Sequence, residues 1–194
     1  MTILKSLKNS AINSLKEKVF TFDAETDGLY GKPWAIGAVV FKDGQEIDRF
    51  EAKIDESFIK DQWVIDNVIP ECADMQITHE SLKEMLEDFW AFFQKHSDAF
   101  TVLSHMGHIV EANLMRITVE QDIQNRQWNG VYDSWTDVSQ LLGMVGEKRD
   151  SVDAYMQKKE LTKPEMVGGN HNPIYDSLVA YEVWKNITEE IAAL

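Results

Sequence analysis

The chain has 194 residues, 44% of them hydrophobic, which is enough to form one domain with a sizeable core. Its net charge of −14 argues against a broad duplex-binding surface, because phosphate contacts come from lysine and arginine. Cys72 is the only cysteine, which excludes an internal disulfide. No apolar run approaches the roughly 18 residues of a membrane span and the N-terminus lacks a signal-peptide core, so no membrane partner and a cytoplasmic, reducing location are the expectation.

In chain order, "MTILKSLKNSAINSLKEK" places Leu4, Leu7, Ile12 and Leu15 near helical spacing and predicts a short amphipathic helix packed on the domain. This segment is locally basic, with Lys5, Lys8, Lys16 and Lys18 against Glu17. Strands are predicted over 18–24, 34–42 and 46–53. The last two are joined by "KDGQ", where Asp-Gly between β-type runs signals a hairpin. Helices are expected over 57–69 and 79–96. In the second, Leu82, Met85, Leu86, Phe89, Phe92 and Phe93 share one face and belong to the core. A short buried strand follows at 99–105, a helix at 109–119 and an edge strand at "GVYDS" (130–134). Helices over 134–143, 150–158 and about 173–192 complete the chain. An antiparallel start followed by alternating helix and strand predicts an α/β domain, a mixed sheet covered by helices.

The stretch "VFTFDAETDGLY" (19–30) ends a buried strand in a cluster of acids. Side chains two apart on a strand share a face, so Asp23 and Glu25 point one way and Phe20, Phe22 and Ala24 the other. Paired carboxylates repel unless a cation lies between them, and oxygen ligands suit Mg²⁺ or Mn²⁺. Taken alone, the stretch is equally a plain acidic turn at Asp27-Gly28. A calcium-binding EF-hand loop is excluded: its twelfth position would be Trp34 rather than Glu, and it would follow a helix. In "GGNHNPIYDSLVAYEVW", Asn172 is a good helix N-cap and Pro173 fits the first helical position. His171 then stands outside the helix behind Gly168-Gly169. Asp176, Ala180 or Val179, Val183 and Ile187 form the stripe that packs on the sheet. An acid on a buried stripe needs a partner.

These two segments carry a family resemblance. "FDAETDGL" resembles the first motif, and "HNPIYD" the third (His-x-x-x-x-Asp), of the DEDDh 3′–5′ exonucleases, the DnaQ-like branch of the ribonuclease H-like superfamily. The second motif is usually His-Asn followed by an Asp at a helix start. Here "SHMGHIVEANLM" keeps His105, has Met106 for the Asn, and carries Glu111 one residue beyond the expected Asp. The resemblance spans roughly 18–190. It implies a five-stranded ribonuclease H-like sheet whose first three strands are antiparallel, with 1–17 as a helical extension and 18–194 as the exonuclease domain.

The same resemblance implies a metal-dependent enzyme that removes nucleotides from single-stranded DNA or RNA 3′ ends, using two Mg²⁺ or Mn²⁺ ions. Asp23, Glu25, Asp176 and Glu111 would be the metal ligands and His171 the general base. Leu29 and Ala24 would contact the substrate. Tyr30 or Trp34 could add stacking, a core role being favoured for Trp34. Asp133 or Asp137 would cap a helix, and His79, His96 and His108 are read as ordinary histidines. A homodimer and a polymerase or repair partner are both compatible with this reading. The alternative is a catalytically degenerate module that binds nucleic acid ends or a protein partner.

Overall fold

A computed structural model describes residues 2–99, 101–129, 135–165 and 169–194. Strands β1 (Val19–Thr26), β2 (Pro33–Lys42) and β3 (Gln45–Lys53) form an antiparallel meander. The β2–β3 turn follows the Asp-Gly signal. Asp43 (φ 52°) and Gly44 (φ 77°) both take the left-handed conformation that matches the twist of the flanking strands. β4 (Thr101–Ser104) pairs parallel to β1, and β5 (Trp135–Asp137) parallel to β4, giving the order β3-β2-β1-β4-β5. This is the mixed five-stranded sheet of the ribonuclease H-like fold.

Helices cover both faces. Phe20, Phe22 and Ala24 pack with Trp34, Ile36 and the predicted apolar face of α3 (Leu82–Lys95), together with Leu114 and Met115 of α4 (Val110–Glu120). On the opposite face Val19, Val39, Phe41 and Leu103 meet α6 (Val138–Met144), α7 (Val152–Lys158) and α8 (Pro173–Ala193). α8 lies close against β2 at Gly37, where a Cβ would come within 2.5 Å of Ile174 N. Ser177 Oγ donates to Gly37 O (3.2 Å) and Thr21 Oγ1 to Ser177 O (3.1 Å), so the start of α8 is pinned to β1 and β2. That contact fixes where Asp176 stands.

Some elements differ from the sequence reading. The helix expected over 57–69 is shorter, α2 (Gln62–Asn67), followed by a 3-10 turn at Ile69–Cys72. Asp61 caps α2 by accepting from Trp63 N and Val64 N, and Pro70, lacking an N–H, stops the α ladder. "GVYDS" and Asp133 lie outside the described residues. The described edge strand is Trp135–Asp137, and α6 starts at Val138 rather than 134 because Asp137 caps it, accepting from Ser139 N (2.9 Å).

The N-terminal helix α1 (Ile3–Ser14) meets α8 through its small-residue side, where Ser10, Ala11 and Ser14 face Trp184, Ile187 and Ile191. Leu15 joins the core, but Leu4, Leu7 and Ile12 remain largely exposed, as does Ile3. A four-residue helix, α5 (Ile123–Arg126), completes the described elements. None of the described helices is long and apolar enough to cross a membrane.

Candidate functional site

The carboxyl ends of the parallel strands β1 and β4 lie side by side in the sheet. Open α/β sheets place their ligand crevices at such points. Here the crevice is a cleft of about 750 Å³, and Asp23, Ala24, Glu25, Leu29, Glu111, His171 and Asp176 all line it. The structure thus brings every site residue expected from the sequence to one cavity.

β1 alternation sends Asp23 and Glu25 to the α8 side of the sheet end. A bulge between Glu25 and Thr26 ends regular pairing there. The turn behind them is built tightly: Asp27 Oδ1 accepts from Lys60 N and Asp61 N, both at 2.9 Å, which holds Asp27 below the usual carboxylate range. Gly28 has φ 69°, and a Cβ there would meet Asp61 Oδ2 at 2.9 Å, so glycine is required both for conformation and for space.

From the third motif, Asn172 caps α8 by accepting from Ile174 N and Tyr175 N, with Pro173 in the first turn. This places Asp176 in the first turn, where its Oδ2 accepts from His171 N (2.8 Å). His171 is held in the left-handed region (φ 73°) by that bond and by Cys72 Sγ, which donates to its carbonyl at 3.1 Å. Its ring stands edge-on to Trp63, centroids 5.3 Å apart. Partial burial lowers its pKa from 6.5, which leaves the imidazole neutral at pH 7.

Glu111 sits in the first turn of α4 and is only 3% exposed. Its carboxyl stands against that of Asp23, close enough for each to influence the other's ionisation. Met106 takes φ 56°, a left-handed position at which asparagine is the more accommodating residue. Asp137 Oδ1 holds this turn by accepting from Met106 N (3.0 Å).

Burial dominates the electrostatics. Desolvation pushes Glu111 and Asp176 each up to about 7. It also raises Asp23 and Glu25 well above the usual range, with further increments from the neighbouring carboxylates. Asp61, Asp150 and Asp153 add to the acid lining, yet no lysine or arginine lines the cleft among the described residues. Four crowded carboxylates without a basic partner fit a divalent-cation site, since a cation is what would let them ionise together. Within this cluster, one ligand atom each of Glu25, His171 and Asp176 lie within 4.8 Å of one another. The geometry therefore makes His171 a further donor close enough to share an ion, while Asp23 is turned toward Glu111.

The sequence reading missed Trp63, Asp150 and Asp153. Trp63 is 57% exposed beside His171, and its place in an interrupted polar helix offered no pattern to mark it. Trp34 is fully buried and cannot stack on a ligand, and Tyr30 is exposed but does not line the cleft. His105 lines the cleft and bonds Arg149 O through Nε2 (2.9 Å). His108, read as ordinary, also reaches the rim.

No family model and no curated protein sequence matches the chain. Solved structures do. Exonuclease X in complex with 5′-overhanging duplex DNA is 18% identical, with a TM-score of 0.55 over 89% of this chain and 92% of that one. An SSB/exonuclease I structure in complex with the inhibitor CFAM is 10% identical, with a TM-score of 0.63 over 90% of this chain and 44% of that one. The zinc-ion-bound form of an E. coli ExoI–ssDNA complex is 13% identical, with a TM-score of 0.57, covering 90% and 41%. The chain spans less than half the length of these last two. At such identities, what it shares with the three exonuclease structures is the ribonuclease H-like architecture.

Proposed function

We propose that this chain is a DEDDh-type exonuclease that hydrolyses the terminal phosphodiester at the 3′ end of single-stranded DNA or RNA. The observation that carries the reading is the convergence of Asp23, Glu25, Glu111 and Asp176 on one cleft, with His171 on a strained loop beside them and no lysine or arginine among the described lining residues. The four carboxylates would hold one or two Mg²⁺ or Mn²⁺ ions. When bound, such ions supply Lewis-acid stabilisation of the attacking and leaving oxygens.

The chain's own residues do the rest. His171, neutral at pH 7, accepts the proton of the attacking water. The backbone bond from His171 to Asp176 and the edge-on Trp63 orient the loop that carries the imidazole. Leu29 and Trp63, both exposed at the cleft, receive the terminal base by apolar contact and stacking, which tolerate any base.

The test is incubation of 5′-labelled single-stranded DNA and RNA with Mg²⁺ or Mn²⁺, with products resolved by length. A ladder shortening from the 3′ side only with metal supports the reading. Intact strands with both metals and both sugars, together with retained binding, support a degenerate end-binding module. The altered second motif, with Met106 in place of asparagine and Glu111 one residue beyond the expected Asp, is what favours that second outcome.

A further inference from the structure

We infer that the cleft selects short oligonucleotides over the end of a long polymer. This rests on the exonuclease reading above. Holding a long strand requires lysine and arginine along its path, because phosphate contacts supply the affinity. The cleft lining carries none among the described residues, while seven carboxylates face it. Two cations at its rim are already engaged by lining acids: Lys163 bonds Asp153, and Lys148 lies 3.3 Å from Asp150.

Attraction is concentrated elsewhere. Leu29 and Trp63 flank the acids with 61% and 57% of their surface exposed, and Met106 adds another apolar side chain, 43% exposed. These groups grip bases, and only near the site. Beyond it, each further phosphate enters the field of a chain with net charge −14. Added nucleotides therefore bring repulsion without contacts.

The experiment compares kcat/KM for 5′-labelled strands of about 3 and about 20 nucleotides at constant Mn²⁺, repeated across a tenfold range of monovalent salt. The same strands are titrated in EDTA by fluorescence anisotropy. Expected are at least about a tenfold advantage for the short strand, a salt effect on it of no more than about fivefold, and no metal-free binding of the long strand below about 100 µM. A preference for the long strand overturns the inference. So does micromolar binding in EDTA, or a salt-driven fall of several hundredfold, the mark of about four phosphate contacts. If both strands are shortened and the long one wins, the length inference alone fails. If neither is shortened with either metal, the exonuclease reading fails and takes this inference with it.

Discussion

Replacing Asp176 by asparagine should stabilise the metal-free protein at pH 8 and weaken its response to metal. Burial is the main reason its carboxyl is pushed from 3.8 to about 7, with Asp153 and Glu111 adding to the effect and the His171 N–H opposing it. A folded-state pKa above the unfolded value means that the group's stability contribution is complete below about pH 3.8 and is lost as pH rises through about 7. A gap of that size corresponds to about 4 kcal/mol, which is the upper limit. Water at the cleft mouth and relaxation of the neighbouring acids reduce the realised gain to about 1–3 kcal/mol. Asparagine keeps an oxygen to accept from His171 N, so the loop is not released. For a chain of this size the gain amounts to about 3–10 °C in Tm. Thermal unfolding in EDTA at pH 8 and pH 5 reads it, and less than half the gain is expected at about pH 5 because the wild-type carboxyl is then largely protonated. A fixed, sub-millimolar Mn²⁺ concentration should narrow or reverse the order by stabilising the wild type more than the variant. An Asn variant less stable than wild type in EDTA at pH 8, or a gain equal at both pH values, refutes the reasoning.

His171→Ala should lower turnover by about 10²–10⁴-fold. The wild-type rate should rise with pH through a limb centred below 6.5, the direction in which burial moves this imidazole. A limb that shifts with Mn²⁺ concentration belongs instead to the carboxylates. Isothermal titration with Mn²⁺ then decides between proton acceptor and ligand, since affinity survives the substitution only in the first case. Glu111→Ala should nearly abolish activity and Glu111→Asp impair it, because the shorter arm no longer reaches from the same helix turn. Glu111→Gln, which keeps the length, should be partly rescued by higher Mn²⁺. Near-wild-type rates for Glu111→Ala would make it only a helix-end acid. Gly37→Ala should cost about 2–4 kcal/mol in urea unfolding, since its Cβ would force α8 off β2. Activity should fall with it, because α8 carries Asp176.

What the sequence determined by itself was whatever is encoded within a few residues. The alternation in "VFTFDAE" puts Asp23 and Glu25 on one face. Asp43-Gly44 makes the hairpin, and the spacing in "LKEMLEDFWAFF" makes the core face of α3. Asn172-Pro173 starts α8 one turn before Asp176. Each of these is a dihedral preference or a side-chain repeat spanning at most a few turns, so it is readable without knowing which distant segments pack against it.

Only the tertiary structure decided the features that depend on packing between distant segments. Trp63 stands against His171, and Cys72 holds the His171 carbonyl across 99 residues. Ser177 meets Gly37 across 140. The three-residue edge strand Trp135–Asp137 is too short to show an alternation and exists because β4 offers its edge. The raised carboxyl pKa values belong to the same class. The acids are visible in the sequence, but their desolvation arises only when β1, α4 and α8 close around one cleft.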